Sequence, residues 1–285
     1  MTSFAGMSDS NIIFEFPLNE RFRTFLRIEN LLQRWSYYSQ SQNREDHHTA
    51  ALTLLDIYDF TFRNDVKGDL LSELARYKLA LIHYSNAPDV SEEKLNQTLL
   101  RLADAYKQIE QSSKFGGNLT DNDWLINLKS RLVVPSSVCS FDMGFYHQWM
   151  QDTEQRRSDD LASWVQPFLP MFDAVTLLLQ LSRNLALNKE CVTTQLAYQQ
   201  PLSGRKFDMM RVEFARNSAY LPDFSANKHV IWIRFAKPVM TTRIQQRAGQ
   251  MMETGEVDFK LGLCGVPTTT NVPQREHAYP FYNTI

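Results

Sequence analysis

The sequence predicts an α+β protein, an N-terminal α-helical domain followed by an antiparallel β-strand domain. Three observations carry this reading. Apolar residues recur at three- and four-residue steps through most of the chain up to residue 187. After Asn188 the pattern shifts to period two, with β-branched and aromatic residues enriched. Four strand-like runs then follow one another with no helix between them, which favours antiparallel pairing over a Rossmann arrangement. The expected domains are 19–187 (helical) and 188–267 (strands, with 11–18 as a candidate addition). A tail, 268–285, is rich in Thr, Pro and Asn and is expected to be loosely ordered.

Residues 11–18, NIIFEFPL, alternate weakly and close on Pro17, a short strand running into a turn. Asn19 can cap the next segment, because its side-chain oxygen can accept an unpaired first-turn amide. From Glu20 to about Ser39, Phe22, Phe25, Leu26, Leu32 and Trp35 mark an amphipathic helix. Similar periodicity predicts helices over 49–62, 69–84 and 91–112. Shorter helices are expected at 121–132, capped by Asp121, and at 142–151, capped by Asp142. A long apolar helix follows at 159–187, where Pro167 and Pro170 must kink or split it, since each lacks an amide donor and crowds the preceding turn. The strand runs are 191–200, 207–215, 229–237 and 256–263, with Ser203-Gly204 a candidate hairpin turn between the first two.

Composition excludes several classes. With 43% apolar and 12% aromatic residues, 285 residues can bury a sizeable core. Lys+Arg number 30 against 32 Asp+Glu, a net charge of −2, which excludes a wholly disordered chain and one that coats nucleic acid through bulk charge. The balance is uneven. Residues 1–187 carry 18 basic and 24 acidic side chains, and residues 188–285 carry 12 and 8. Cys139, Cys191 and Cys264 are odd in number and show no CxxC spacing, so neither a disulfide framework nor a cysteine zinc site is encoded. The first residues show no cationic start and no apolar core of a signal peptide. The longest apolar stretch, around Ala174 to Leu179, falls short of the roughly 20 residues of a membrane span. The expectation is a soluble cytoplasmic protein without membrane insertion, nucleic acid, metal or cofactor.

Catalytic candidates are sparse. Gly116-Gly117 lacks both the Lys-Ser/Thr and the preceding strand of a phosphate loop and reads as an interhelical connection. His47-His48, beside Glu45 and Asp46, point about 100° apart on a helix and cannot share one ion, so a solvated helix start is the better reading. Cys139, Asp142 and His147 lie close in sequence, whereas catalytic Cys–His partners are normally brought together by the fold. Cys139 reads as a small buried residue before a helix. Arg23, Arg27 and Arg34 share a sector of roughly 40° on the first helix, opposite its apolar stripe. No acid lies four residues beyond Arg27 or Arg34, where Leu31 and Tyr38 stand, so this stripe could receive carboxylates.

Four segments, in order, carry a family resemblance. IIFEFPLNERFRTFLRIENLL (12–32) resembles the N-terminal signature of the ZapD family of bacterial cell division, a strand, a Pro-Leu-Asn-Glu turn and an Arg-x-x-Leu-Arg-Ile-Glu helix. RLVVPSSVCSFDMGFYHQWM (131–150) is similar to that family's Cys-Ser-Phe-Asp segment and the His-x-Trp stretch after it. HVIWIRFAK (229–237) and VDFKLGLC (257–264) are similar to its last two strands, and the residues beyond Cys264 extend past the usual family end. The resemblance implies a cytoplasmic, non-enzymatic division factor at midcell. In this family a symmetric homodimer binds the C-terminal tail of FtsZ, the tubulin-like division GTPase, and bundles its filaments in the Z-ring.

The resemblance also implies site residues. Arg23 and Arg27 lie in the first matching segment, His147 in the second, and Lys228 and Arg234 in or beside the third. A further arginine of relatives falls on Val230. Arg63 and Lys67, after LLDIYDF, align only with a two-residue insertion. All seven are expected to bind the tail peptide, and Arg23, Arg63, His147, Lys228 and Arg234 are expected to contribute to a basic groove where the two modules meet, with apolar residues between them. Alternatively, Arg63 solvates a loop and Arg234 pairs with a neighbouring strand's acid, Glu213 or Asp258. A homodimer is also expected because the helices offer more apolar stripes than a four-helix packing covers, and bridging two filaments needs two sites. The alternative function is a thiol-dependent enzyme, small-molecule or peptide-processing, centred on Cys139 and His147.

Overall fold

The computed structural model describes residues 11–83, 91–112, 115–116, 122–132, 139–237 and 255–266. Asp121, Gly117 and the tail 268–285 lie outside them. The helices are α1 (Glu20–Ser39), α2 (Arg44–Arg63), α3 (Val66–Ile82), α4 (Glu92–Gln111), α5 (Asp123–Arg131), α6 (Gly144–Gln151), α7 (Glu154–Val165) and α8 (Leu169–Asn184). The strands are β1 (Asn11–Pro17), β2 (Leu187–Thr193), β3 (Ala197–Pro201), β4 (Met209–Ala215), β5 (Leu221–Ala226), β6 (Val230–Ala236) and β7 (Val257–Cys264). Helices precede strands, as the periodicities require, and β1 joins a sheet. By compactness the described residues divide into two units. One holds β1 and the chain through Arg23, His83 and Ser91, and everything from Gln180 on; the other holds Thr24–Ile82 and Glu92–Leu179.

Caps set the helix starts. Asn19 Oδ1 accepts from the amide of Phe22 at 2.9 Å, as expected for α1. Asn43 does the same for α2 through Glu45, so that helix begins a full turn before the apolar pattern does. α5 is capped by Asn122, which accepts from Trp124 and Leu125, rather than by the expected Asp121. The expected Asp142 cap of α6 is not formed. Met143 occupies the cap position without a side-chain bond, and the amides of Asp142 and Met143 instead donate to the Cys139 carbonyl at 3.0 and 2.9 Å. Cys139 itself is half-buried, not the buried residue expected.

The long apolar run divides at its prolines, as expected. A 3-10 turn, Gln166–Phe168, separates α7 from α8, with Pro167 inside it and Pro170 just after. By length and composition the run Glu154–Asn184 would suffice to cross a membrane. Its apolar side chains, among them Leu161, Val165, Phe168, Met171, Phe172 and Leu178, are buried in the fold, the pattern of a core helix. Around it, Trp124 of α5 meets Phe145, Tyr146, Trp149 and Trp164 at ring separations of 4.9–5.7 Å. Gly116 is buried with φ +71°, and a Cβ there would lie 2.7 Å from the Phe168 ring and 2.8 Å from that of Tyr58. Close approach, more than loop flexibility, therefore explains this glycine.

The strands form two sheets, not one, in the orders β1-β4-β7-β2 and β3-β6-β5, with every strand pair antiparallel. Their inner faces share one core. Met210, Val212, Phe214, Phe259 and Leu261 come from the first sheet and Ile231, Ile233 and Phe235 from the second. The expected strand 191–200 is broken in two. Leu196 takes φ 53°, which interrupts the strand, and β2 and β3 enter different sheets. Ser203-Gly204 consequently does not close a hairpin. Both residues have positive φ (49° and 76°), and the turn passes the chain from β3 in one sheet to β4 in the other. β5 lacks a strand pattern in the sequence because LPDFSA carries a proline and short polar residues; as an edge strand it tolerates both.

Glu15 of β1 ties this unit together. Its carboxylate accepts from Arg183 Nε and Nη2 at 2.8 and 2.7 Å, and Arg211 Nε of the paired strand β4 lies 3.1 Å away.

Candidate functional site

The seven cations singled out in the sequence fall in both units. Arg23, Lys228 and Arg234 belong to the strand-containing unit; Arg27, Arg63, Lys67 and His147 belong to the helical one. Within each unit their surroundings differ, and these differences decide which are available to a ligand.

The arginine stripe of α1 is less open than its spacing suggests. Arg23 pairs with Glu20, three residues earlier, at 3.2 Å, and its guanidinium lies 6.0 Å from the Phe16 ring centroid. Arg34 acts on Asp56 of α2: burial raises that carboxyl above its usual range, and the Arg34 charge opposes the rise. The expectation of unpaired guanidinium groups therefore fails for Arg23, while Arg34 makes no ion pair among the described residues. Arg27 is exposed and makes no ion pair among the described residues. An acid three residues back, such as Glu20 before Arg23, pairs as readily as one four residues on.

Arg63 and Lys67 flank the α2–α3 junction. Arg63, the last residue of α2, is exposed and has no ion pair among the described residues; its charge also suits the negative end of that helix. Lys67 donates to the carbonyls of Glu110 and Ser112 at 3.1 and 2.6 Å, so it caps the end of α4. His147 lies on α6 with its side chain exposed. No hydrogen bond joins it to Cys139 among the described residues.

The neighbouring histidines depart from the solvated helix start expected of them. His47 is fully buried, and Arg157 Nε donates to its Nδ1 at 3.2 Å. His48 is half-buried and hydrogen-bonded to the Tyr146 hydroxyl. Burial lowers the pKa of His48, opposed in part by Glu45, and raises that of Tyr146, which favours the neutral form of both groups.

In the strand-containing unit, Lys228 occupies the β5–β6 hairpin turn, where Asn227 Oδ1 accepts from the amides of His229 and Val230 at 2.8 and 3.0 Å. Arg234 points outward from β6. Its cross-strand neighbours are Ala197 and Asp223; Glu213 and Asp258, the acids expected as alternatives, lie in the other sheet. Arg234 and Asp223 are both exposed and form no ion pair. Arg205 and Lys206, which follow the Ser203-Gly204 turn and belong to no matching segment, are also exposed. Among the described residues, no group of His, Cys, Asp and Glu side chains is arranged to hold a metal ion.

The α+β chain exposes cations on both units, Arg27 and Arg63 on the helical one and Lys228 and Arg234 on the strand-containing one. Its class is fixed by comparison: a family model described as a cell division protein matches residues 26–234, well over half of the chain. The chain belongs to the ZapD family.

Proposed function

We propose that this protein binds the C-terminal tail of FtsZ and, as a homodimer in the cytoplasm at midcell, crosslinks FtsZ filaments into bundles that stabilise the Z-ring. Membership in a cell division family supports the division role. The observation that carries the binding step is the set of exposed cations without ion-pair partners among the described residues: Arg27, Arg63, Lys228 and Arg234, with His147 exposed beside them in the set. Each can make a charge-assisted hydrogen bond to a peptide carboxylate. Arg23 and Lys67 contribute after exchanging their present partners, Glu20 and the α4 carbonyls. The helical unit also exposes large apolar side chains, Tyr37, Leu100 and Phe141 among them, in keeping with surface covered on dimerisation.

Co-sedimentation with polymerised FtsZ tests the reading. The protein should pellet with full-length FtsZ and stay in the supernatant with FtsZ lacking its tail. Equal pelleting with both would overturn the tail as the binding element. Light scattering should give twice the 33.2 kDa chain mass. A stable monomer at micromolar concentration would remove the crosslinking mechanism.

A further inference from the structure

Two adjacent histidines on α2 reach two different helices. They point about 100° apart, so His47 meets Arg157 of α7 while His48 meets Tyr146 of α6. His47 is fully buried and Arg157 is 5% exposed. Arg157 Nε donates to His47 Nδ1 at 3.2 Å, and Arg157 Nη1 donates to the Asp152 carbonyl at the α6–α7 corner. One guanidinium thus joins α2, α7 and the corner that precedes α7.

A guanidinium can only donate, so His47 Nδ1 must hold a lone pair and the ring proton belongs on Nε2. Nε2 is buried and has no hydrogen-bond partner among the described residues, which leaves the Arg157 bond as the one polar contact of this imidazole. A second proton can enter only at Nδ1. It removes the bond and sets an imidazolium against a guanidinium inside the fold, with no carboxylate bonded to either among the described residues. The acids around the pair are engaged elsewhere or exposed. On α2, Glu45 pairs with Arg44 at 3.4 Å and Asp46 accepts from Ser41 at 2.6 Å. At the corner, Asp152 accepts from the Thr153 amide at 2.7 Å. On α7, Asp160 accepts from Trp149 and Arg156 at 3.1 and 3.3 Å, and Glu154 is exposed. From α6 comes Tyr146, bonded to His48. His48 differs from His47 in one respect: a hydroxyl both donates and accepts, so its bond can survive protonation by reversing direction.

We infer that His47 and Arg157 form an acid-released latch, in which the imidazole lone pair holds the first turns of α7 and the α6–α7 corner against α2, and a proton on Nδ1 lets them open. The inference is independent of the proposed function. Leu54 of α2 and Leu161 and Val165 of α7 are buried apolar side chains that no proton alters, so the opening is local and reverses when the pH is restored. Once exposed, the imidazole takes its proton with the ordinary histidine affinity, near pH 6.5. Lowering the pH from about 7.5 to about 5.5 then favours the open form by about tenfold.

Amide hydrogen exchange of the full chain at these two pH values, corrected for the intrinsic pH dependence of exchange, reads the opening. The open fraction of α7 should rise about tenfold at the lower pH, while that of α4, which carries no histidine, stays constant. In His47→Gln the amide oxygen can accept from Arg157 without ever taking a charge, so α7 should stay closed at both pH values. His48→Gln should keep the α7 response. Nitrogen-15 NMR of the imidazoles in the unmodified protein needs no variant to fold. It should show His47 protonated on Nε2 alone at the higher pH, with its second proton arriving as α7 opens. Equal α7 opening at both pH values in the unmodified protein, a response retained in folded His47→Gln, or a His47 ring protonated on Nδ1 at the higher pH would each overturn the latch. If His47→Gln does not fold, the NMR signals of the unmodified protein decide.

Discussion

Replacing Glu15 by alanine should loosen the strand-containing unit more than any single surface change. The Glu15 carboxylate sits between Arg183 and Arg211, with side-chain exposures of 19%, 18% and 31%. Removing it takes away the carboxylate that both guanidinium groups contact. Breaking a fully buried pair costs about 3–5 kcal/mol; water can reach these groups in part, so about 2–3 kcal/mol is expected. For a protein of this size that corresponds to a fall of about 4–12 °C in the melting temperature. The loss should concentrate in β1, which carries Glu15 opposite Arg211 of β4. Circular dichroism melting gives the magnitude, and amide hydrogen exchange of 11–17 gives the location. Glu213→Ala is the control: its carboxylate accepts one bond, from Asn11 Nδ2 at 3.0 Å, and its loss should cost about 1 kcal/mol. A Glu15→Ala protein melting within about 1 °C of the parent, or no lower than the control, would refute the reasoning.

His48 gives a pH dependence. Burial lowers its folded-state pKa below the usual 6.5, so the unfolded chain binds its proton first, and the contribution is full above about pH 6.5 and lost as pH falls. The melting temperature should therefore drop less between about pH 7.5 and 5.5 in His48→Gln than in the parent, and equal slopes would contradict this. Arg63→Glu and Arg234→Glu should each weaken tail-peptide binding about tenfold or more at low salt while changing stability by less than about 0.5 kcal/mol. Titration at two ionic strengths checks both. Parent-like affinity in both variants, with no salt dependence, would leave a purely apolar site. Cys139→Ser should keep FtsZ bundling intact in a sedimentation assay, because the thiol of the proposed crosslinker does no chemistry; loss of function would revive the thiol-enzyme reading.

The sequence by itself determined the element types and their order. Helical and strand periods differ, so Phe22, Phe25 and Ile28 announce a helix, and Ile231, Ile233 and Phe235 a strand, before any contact is known. Local chemistry was equally legible at Asn19, which caps α1, and at Pro167 and Pro170, which divide α7 from α8. The family resemblance was legible too, because its segments are contiguous in the chain. Tertiary structure alone decided the partners. Strand pairing joins residues far apart in sequence, so nothing local told β3 to leave β2 for β6, or made Asp223 the neighbour of Arg234. The same holds for the cations. Whether an arginine on a predicted helix is open or engaged depends on which charge the fold brings within a few ångströms. Arg27 has no ion-pair partner among the described residues, the Arg34 charge acts on the Asp56 carboxyl of another helix, and Lys67 is held by the carbonyl groups at the end of another helix. A Coulomb interaction or hydrogen bond acts through space over such distances, and spacing along the chain does not encode it.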